Sequence, residues 1–475
     1  MNSISRPSEA NFVTDLTTGG TSLNTTGDIM HTIDDPGVEN LVEKIPYSEV
    51  KTRVDNVTPT YKVEGFSGGG FDLLSAQGRC ANAYVTMLET LELVKKVAYK
   101  PMEQWAAVPV LPVFPFSGED LNAFYDRSAI RLFYYKDFFT VDSAVILSHE
   151  CGHAILDSYR PETWSVQNFE LWSFHESFGD MIAILMVLQN DAAVNKAINE
   201  TGGNMRNPNF VTKLAEQMGQ VIYKLTGGRM GGDSLRNADN DFKYSNPANL
   251  PQKANDDKTI TAEAHSFSRI FTGTFYDILV MMHETYKAEG MNAVDALKAA
   301  QTTLGKYLFK AICFAPIHTT FFESIAKTIL WVDWSDQKKF HDKMWDIFVN
   351  RNIVTQVKSM YFNPEFIPDG TRVQFDNGVV ITIDDIQTIK LSDHKDAMML
   401  NDDNPLYNYF IDVAKQHAYF LDLDNNPLDS IVSLEEKAVA MAKFCLDKLY
   451  KADAVGEGKL FSIVDNKIVR NRYIW

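Results

Sequence analysis

The sequence is poor in cysteine, in positive charge and in long apolar runs, and each shortage excludes something. Its four cysteines, Cys80, Cys151, Cys313 and Cys445, are scattered through 475 residues, too far apart for a disulfide framework or a thiolate metal cluster. Reduced thiols are expected. Lys and Arg number 45 against 62 Asp and Glu, a formal net charge of -17. Such a surface repels phosphate backbones and anionic lipid, so neither nucleic acid nor a membrane is an expected partner. The longest apolar stretches, such as Met181 to Leu188, fall well short of the roughly 18 residues of a membrane span. The first twenty residues contain one arginine but no continuous apolar core of the kind a secretory signal needs. The expected location is therefore cytoplasmic, with export by an unconventional route as the alternative. No internal repeat is visible.

What is present is the material of an ordinary globular protein: 45% hydrophobic and 23% charged residues, in a chain long enough for two or three domains and a sizeable core. Residues 1–60 are rich in Ser, Thr, Asn, Asp and Gly without sustained periodicity and are expected to form a polar lead-in or pro-segment. Within 61–165, Tyr84, Met87, Leu88, Leu91 and Val94 recur at helical spacing. Three aromatic and branched stretches, Val108–Phe116, Asn122–Tyr125 and Ile130–Tyr135, suit strands. A helix follows from Asp142 to about Tyr159. Residues 166–358 are expected to be mainly helical, with a strongly buried helix around Met181–Leu188 and further helices from His265 to about Ile347. These are separated by a polar loop at 226–262 whose length suggests function. Residues 359–475 form an α/β addition: strands near Thr371–Phe375 and Val379–Ile383, a helix opened by the capping box Ser433/Glu436, and a hairpin around Asp465-Asn466. The fold class is α+β.

His149-Glu150-Cys151-Gly152-His153 is the pattern His-Glu-x-x-His. Residues four apart on a helix share a face, so both imidazoles can meet one zinc ion at about 2 Å. Glu150 stands beside them as the base that can activate water. A catalytic zinc takes a third protein ligand, and His175-Glu176-Ser177-Phe178-Gly179-Asp180 supplies a candidate in Glu176. Asp180, four residues on, can accept the free ring N–H of a ligand histidine and fix its tautomer. Two carboxylates bordering so apolar a helix are costly unless paired or bound to metal. Cys151 lies roughly 200° around the helix from the histidines and is expected to pack inward.

Taken together, these residues resemble the thermolysin-like zinc metallopeptidases, the gluzincins. The likeness covers about residues 122–276 and implies a gluzincin fold, with a strand-containing upstream part and a mainly helical downstream part facing each other across a zinc cleft. It implies one zinc ion held by His149, His153 and Glu176, and Asp180 behind a ligand. Asn122-Ala123-Phe124-Tyr125 is similar to the family's edge strand, where the side chain of Asn122 and the backbone of Ala123 hold an extended peptide. Gly232-Asp233-Ser234-Leu235-Arg236 is similar to its substrate-binding segment, in which Arg236 donates to the carbonyl beyond the scissile bond. Ala264-His265 matches the histidine that stabilises the oxyanion. Ile146 and Leu235 match positions lining the pocket for the residue after the cut, which implies an apolar preference there. The sequence departs from the family in two ways. Val145 replaces an aspartate that binds calcium, and the apolar Met181–Leu188 stands where further calcium ligands would fall, so calcium is not expected at the family's double site. The assisting tyrosine falls near Val166 or Gln167, which leaves His265, or Tyr159 as a substitute.

The expected activity is a zinc-dependent endopeptidase acting on a peptide or protein. An effector or toxin protease with one particular target fits the same residues, as does a catalytically idle zinc-bound peptide-binding protein. Asp422-Leu-Asp424-Asn-Asn426 is only superficially a calcium loop, because Pro427 takes the required glycine position; a turn is expected. Ser67–Gly70 lacks the lysine and hydroxyl of a phosphate loop and reads as a linker.

Overall fold

The computed structural model describes residues 27–35, 41–69, 72–165, 169–254, 256–315, 320–336 and 338–354, and beyond them the strands 371–374, 380–385, 388–391, 461–464 and 467–470. It is a mixed α+β chain with small sheets. Residues 28–35 and 41–60, expected within a polar lead-in or pro-segment, form strands, a helix and turns. β1 (Asp28–Thr32) and β2 (Val42–Pro46) pair antiparallel, and α1 (Tyr47–Val54) follows. Isolated apolar residues at Ile29, Ile33, Leu41 and Val50 anchor this part in the core. So does His31, fully buried, whose ring nitrogens meet Asn82 Oδ1 at 2.9 Å and Glu89 Oε2 at 3.0 Å. Such anchors are too sparse to set up a period.

β3 (Tyr61–Val63) leads to α2 (Ala76–Val97), whose N-cap Ser75 accepts the N–H of Gly78. β4 (Leu111–Phe114), β5 (Ala123–Tyr125) and β6 (Ile130–Leu132) complete a four-stranded sheet of order β3-β4-β6-β5. In it β5 runs antiparallel to β6 and forms an edge, so its outer backbone groups are open to a further strand.

Helices make the rest of the core. α3 (Ala144–Tyr159) is capped by Ser143, which accepts the N–H of Ile146, and all of its residues except Ser158 are buried. α4 (Phe169–Val187) is buried except at Phe169, Trp172 and Glu176. These three lie at helical spacing and form one stripe. α5 (Asp191–Thr201), the short strand β7 (Lys213–Leu214), α6 (Glu216–Leu225) and β8 (Arg236–Asn237) follow, with β8 antiparallel to β7. Then come α7 (Ala264–Ala288), α8 (Ala293–Phe314), α9 (Phe321–Ser335) and α10 (His341–Asn350). Among the described residues no single helix is long and apolar enough to cross a membrane.

The expected helix around Tyr84–Val94, the strands before residue 136 and the helices from 265 to 347 are all present. Towards the C-terminus, Thr371–Gln374, Val380–Asp385 and Thr388–Leu391 form an antiparallel sheet, and Phe461–Val464 pairs with Lys467–Arg470 as a hairpin. The capping box at Ser433 and the turn at Asp422 lie outside the described residues.

Candidate metal centre

The centre forms where α3 crosses α4. Helices carrying ordinary side chains pack with axes about 8–10 Å apart; here glycine allows an intimate crossing. A Cβ on Gly152 would come 2.8 Å from Gly179 Cα, and one on Gly179 would come 2.6 Å from His149 Nδ1. Both are interior helix positions, where glycine costs about 1 kcal/mol relative to alanine. The close crossing lets the His149 ring lie over Gly179.

Three side chains then converge. His149 Nε2 is 3.4 Å from Glu176 Oε2, and His153 Nε2 is 3.6 Å from Glu176 Oε1. One donor atom from each of the three lies within 4.8 Å of the others, so the group can hold a metal ion. The chemistry of the donors fits that role. His149 Nδ1 meets Asp180 Oδ1 at 3.0 Å, which holds the N–H on that nitrogen and turns Nε2 toward Glu176. Asp180 is itself held by Arg236, through Nε at 3.0 Å and Nη2 at 2.7 Å, and by the Thr272 hydroxyl at 3.2 Å.

The electrostatics separate these groups. Burial pulls the His149 pKa down, but hydrogen bonds to Asp180 and Glu176 outweigh it and raise it to about 10. Burial is the largest influence on His153 and takes it down to about 3, leaving a neutral imidazole. Burial alone would raise Glu176 and Asp180. The nearby His153 ring, the His149 hydrogen bond and the His265 charge hold Glu176 well below the usual range, and Arg236 with His149 keeps Asp180 low. Glu150, also buried, is pushed up to about 7 by desolvation, against the neighbouring His149 and a backbone hydrogen bond from Tyr125. A carboxylate titrating near neutrality beside the ligand set can both take up and return a proton.

A cleft of about 540 Å³ opens over these residues. The sequence-based site residues all line it: Asn122 and Ala123 by the edge strand, the apolar Ile146 and Leu235, the partly buried Arg236 and the exposed His265. Asn122 Oδ1 accepts the N–H of Ala123 at 2.9 Å. His265 is 61% exposed, with Nδ1 2.5 Å from Glu263 Oε1 and Nε2 3.4 Å from Glu176 Oε2. The Glu263 hydrogen bond is the main cause of its raised pKa, which favours the protonated ring. Arg236 differs from expectation, since its Nε and Nη2 are committed to Asp180.

Tyr159 is not brought to the cleft. It is buried, its hydroxyl donates to the Lys100 carbonyl at 2.7 Å, and its ring packs edge-on against Phe309. Val166 and Gln167 lie outside the described residues. Val145 is buried in the cleft wall, and Cys151 is fully buried as expected. Burial raises the Cys151 thiol pKa.

Sequence reasoning passed over several residues of the site. Asp157, four residues after His153, is fully buried and takes two hydrogen bonds from Arg127, at 2.9 and 3.0 Å, and one from the Tyr125 hydroxyl at 2.9 Å. This ties the edge strand to α3, the helix that carries His149 and His153. His175 Nε2 lies 3.0 Å from the Thr163 hydroxyl, which itself donates to the Arg160 carbonyl, so His175 is the donor to Thr163. The readable signal was modest: glycines at 152 and 179 inside two apolar helices mark close packing.

Fold and centre together define a mixed α+β chain in which two histidines and one carboxylate could hold a metal ion beside a buried glutamate. No protein-family model and no curated protein matches the sequence. Among solved structures the chain is similar to the precursor of protealysin, a metalloproteinase from Serratia proteamaculans. The identity is 12% and the TM-score 0.41, over 71% of this chain and 91% of that one.

Proposed function

We propose that this chain is a zinc-dependent endopeptidase with a thermolysin-like arrangement of its cleft. The observation that carries the reading is the convergence of His149, His153 and Glu176 with Glu150 beside them. Two imidazole nitrogens, with that of His149 giving up its proton for the ion, and one carboxylate are a donor set suited to catalytic zinc, which keeps a further position open. When bound, zinc would supply a Lewis acid that polarises a carbonyl and lowers the pKa of water to about 7.

The chain's own residues supply the rest. Glu150 accepts the proton of the attacking water and returns it to the leaving amine, a cycle suited to a carboxyl near neutrality. His265, held by Glu263, donates to the oxygen on which negative charge develops. The peptide adds as a strand to the open edge of β5, held by Asn122 and the Ala123 backbone. Ile146 and Leu235 favour an apolar residue after the cut. Arg236 acts mainly by holding Asp180, and so His149. No calcium is invoked, and the oligomeric state and cellular target are left open. Incubation of the purified protein with an unstructured protein tests the reading: cleavage abolished by a chelator and restored by zinc is the expected result. Binding of peptide without cleavage in the zinc-loaded protein would favour the idle, peptide-binding alternative.

A further inference from the structure

We infer that Trp172, with Trp164, forms a subsite for a large apolar or aromatic side chain on the amino side of the scissile bond. This rests on the peptidase reading for its orientation but not for its contacts. α4 is buried on every side except the stripe Phe169, Trp172 and Glu176, so the face that presents the metal ligand presents Trp172 one turn earlier. Trp172 is 41% exposed and lines the cleft. Leaving this much indole in water forgoes a favourable burial, and an occupant of the cleft recovers it. Trp164 lines the same cleft, beside His175 of α4, and is fixed by three contacts. Tyr125 packs edge-on at 5.4 Å, His175 at 5.8 Å, and the Arg127 guanidinium lies 5.8 Å from its ring centre. The wall is thus one held ring and one open ring.

Its side of the cut follows from the helix. Trp172, Glu176 and Asp180 are spaced by four along α4, and Asp180 binds Arg236. Trp172 and Arg236 therefore lie on opposite sides of Glu176. The apolar wall near Arg236, with Ile146 and Leu235, takes the residue after the cut, so the tryptophans take the residue before it.

The test uses the full-length, zinc-loaded protein and two probes that separate this inference from the peptidase reading. Acetylated tripeptides ending in Phe or in Ala, which mimic the amino-side product, are titrated calorimetrically. Matched longer peptides with Phe or Ala before the cut and Leu after it are assayed for hydrolysis. The expected result is a preference for Phe of about tenfold or more in both. Trp172→Ala should reduce it to about twofold by weakening the Phe peptides, with the Tm unchanged, while Trp172→Phe should retain most of it. Parent protein without a preference, or a preference that survives Trp172→Ala, overturns the subsite. Selective binding without hydrolysis keeps the subsite and overturns the peptidase reading; unselective hydrolysis does the reverse.

Discussion

Two buried Asp–Arg pairs flank the metal group, alike in construction but different in what they hold. Asp157 stands four residues after His153 on α3, and Asp180 four residues after Glu176 on α4; each is held through Nε and Nη2 of an arginine outside its helix. Asp180 also contacts a ligand, His149. Asp157 instead binds the Tyr125 hydroxyl, on the edge strand. One pair fixes the donor set and the other fixes the strand on which a peptide would lie. A buried ion pair is weak evidence of net stability, whereas removing one partner is costly. The two pairs should therefore resemble each other in stability and differ in metal affinity.

The largest effect is expected for Asp180→Ala. It strands Arg236 and frees the His149 ring, with a loss of about 3–5 kcal/mol of stability and a fall of about 10- to 100-fold in zinc affinity. Denaturant unfolding and competition with a zinc chelator measure the two losses. Arg127→Ala leaves the fully buried Asp157 charge without its arginine and should cost a similar 3–5 kcal/mol or so, yet change zinc affinity by no more than about twofold. Equal losses of metal binding in both variants would erase the distinction.

Gly179→Ala sharpens it from the other side. The new methyl group must displace the His149 ring, so about a tenfold loss in zinc affinity should accompany only about 1–3 kcal/mol of destabilisation. The smallest effect concerns a buried carboxylate on α4 with no arginine. Glu170 accepts from the Tyr244 hydroxyl at 2.6 Å and the Phe322 N–H at 3.0 Å, and burial raises its pKa from 4.5 to about 7 against those bonds. The folded chain keeps this proton where the unfolded chain has lost it. The stability it contributes is complete below about pH 4.5, falls as pH rises to 7 and stays lost above. Glu170→Gln should remove up to about 3 kcal/mol of that fall; parallel Tm curves from pH 4.5 to 8 for the two proteins would contradict this.

The unequal legibility of the pairs has a physical cause. His149, Glu150, His153, Glu176 and Asp180 lie on two helices, where spacing in sequence fixes position in space, and the structure brings them together. Arg127 follows a strand and adopts a left-handed backbone conformation (φ 69°). Its bond to Asp157 spans 30 residues, and no local period encodes it. The fold of residues 28–35 and 41–60 was not legible for a related reason: it depends on long-range partners such as His31 with Glu89, while composition alone suggested a polar lead-in or pro-segment. Tyr159 was offered on residue type, but its buried hydroxyl is taken by Lys100. Trp172 belongs to no motif in the sequence, and only the packing reveals that its stripe is open.

The central claim is that three side chains hold zinc while a fourth, Glu150, does the proton transfer. The direct measurement is zinc content and peptide turnover on the same preparations of the parent protein and Glu150→Gln. About one zinc per chain in both, with turnover reduced at least about a thousandfold in the variant, is the predicted result. Unchanged turnover in Glu150→Gln, or a parent protein that binds no zinc, would contradict it.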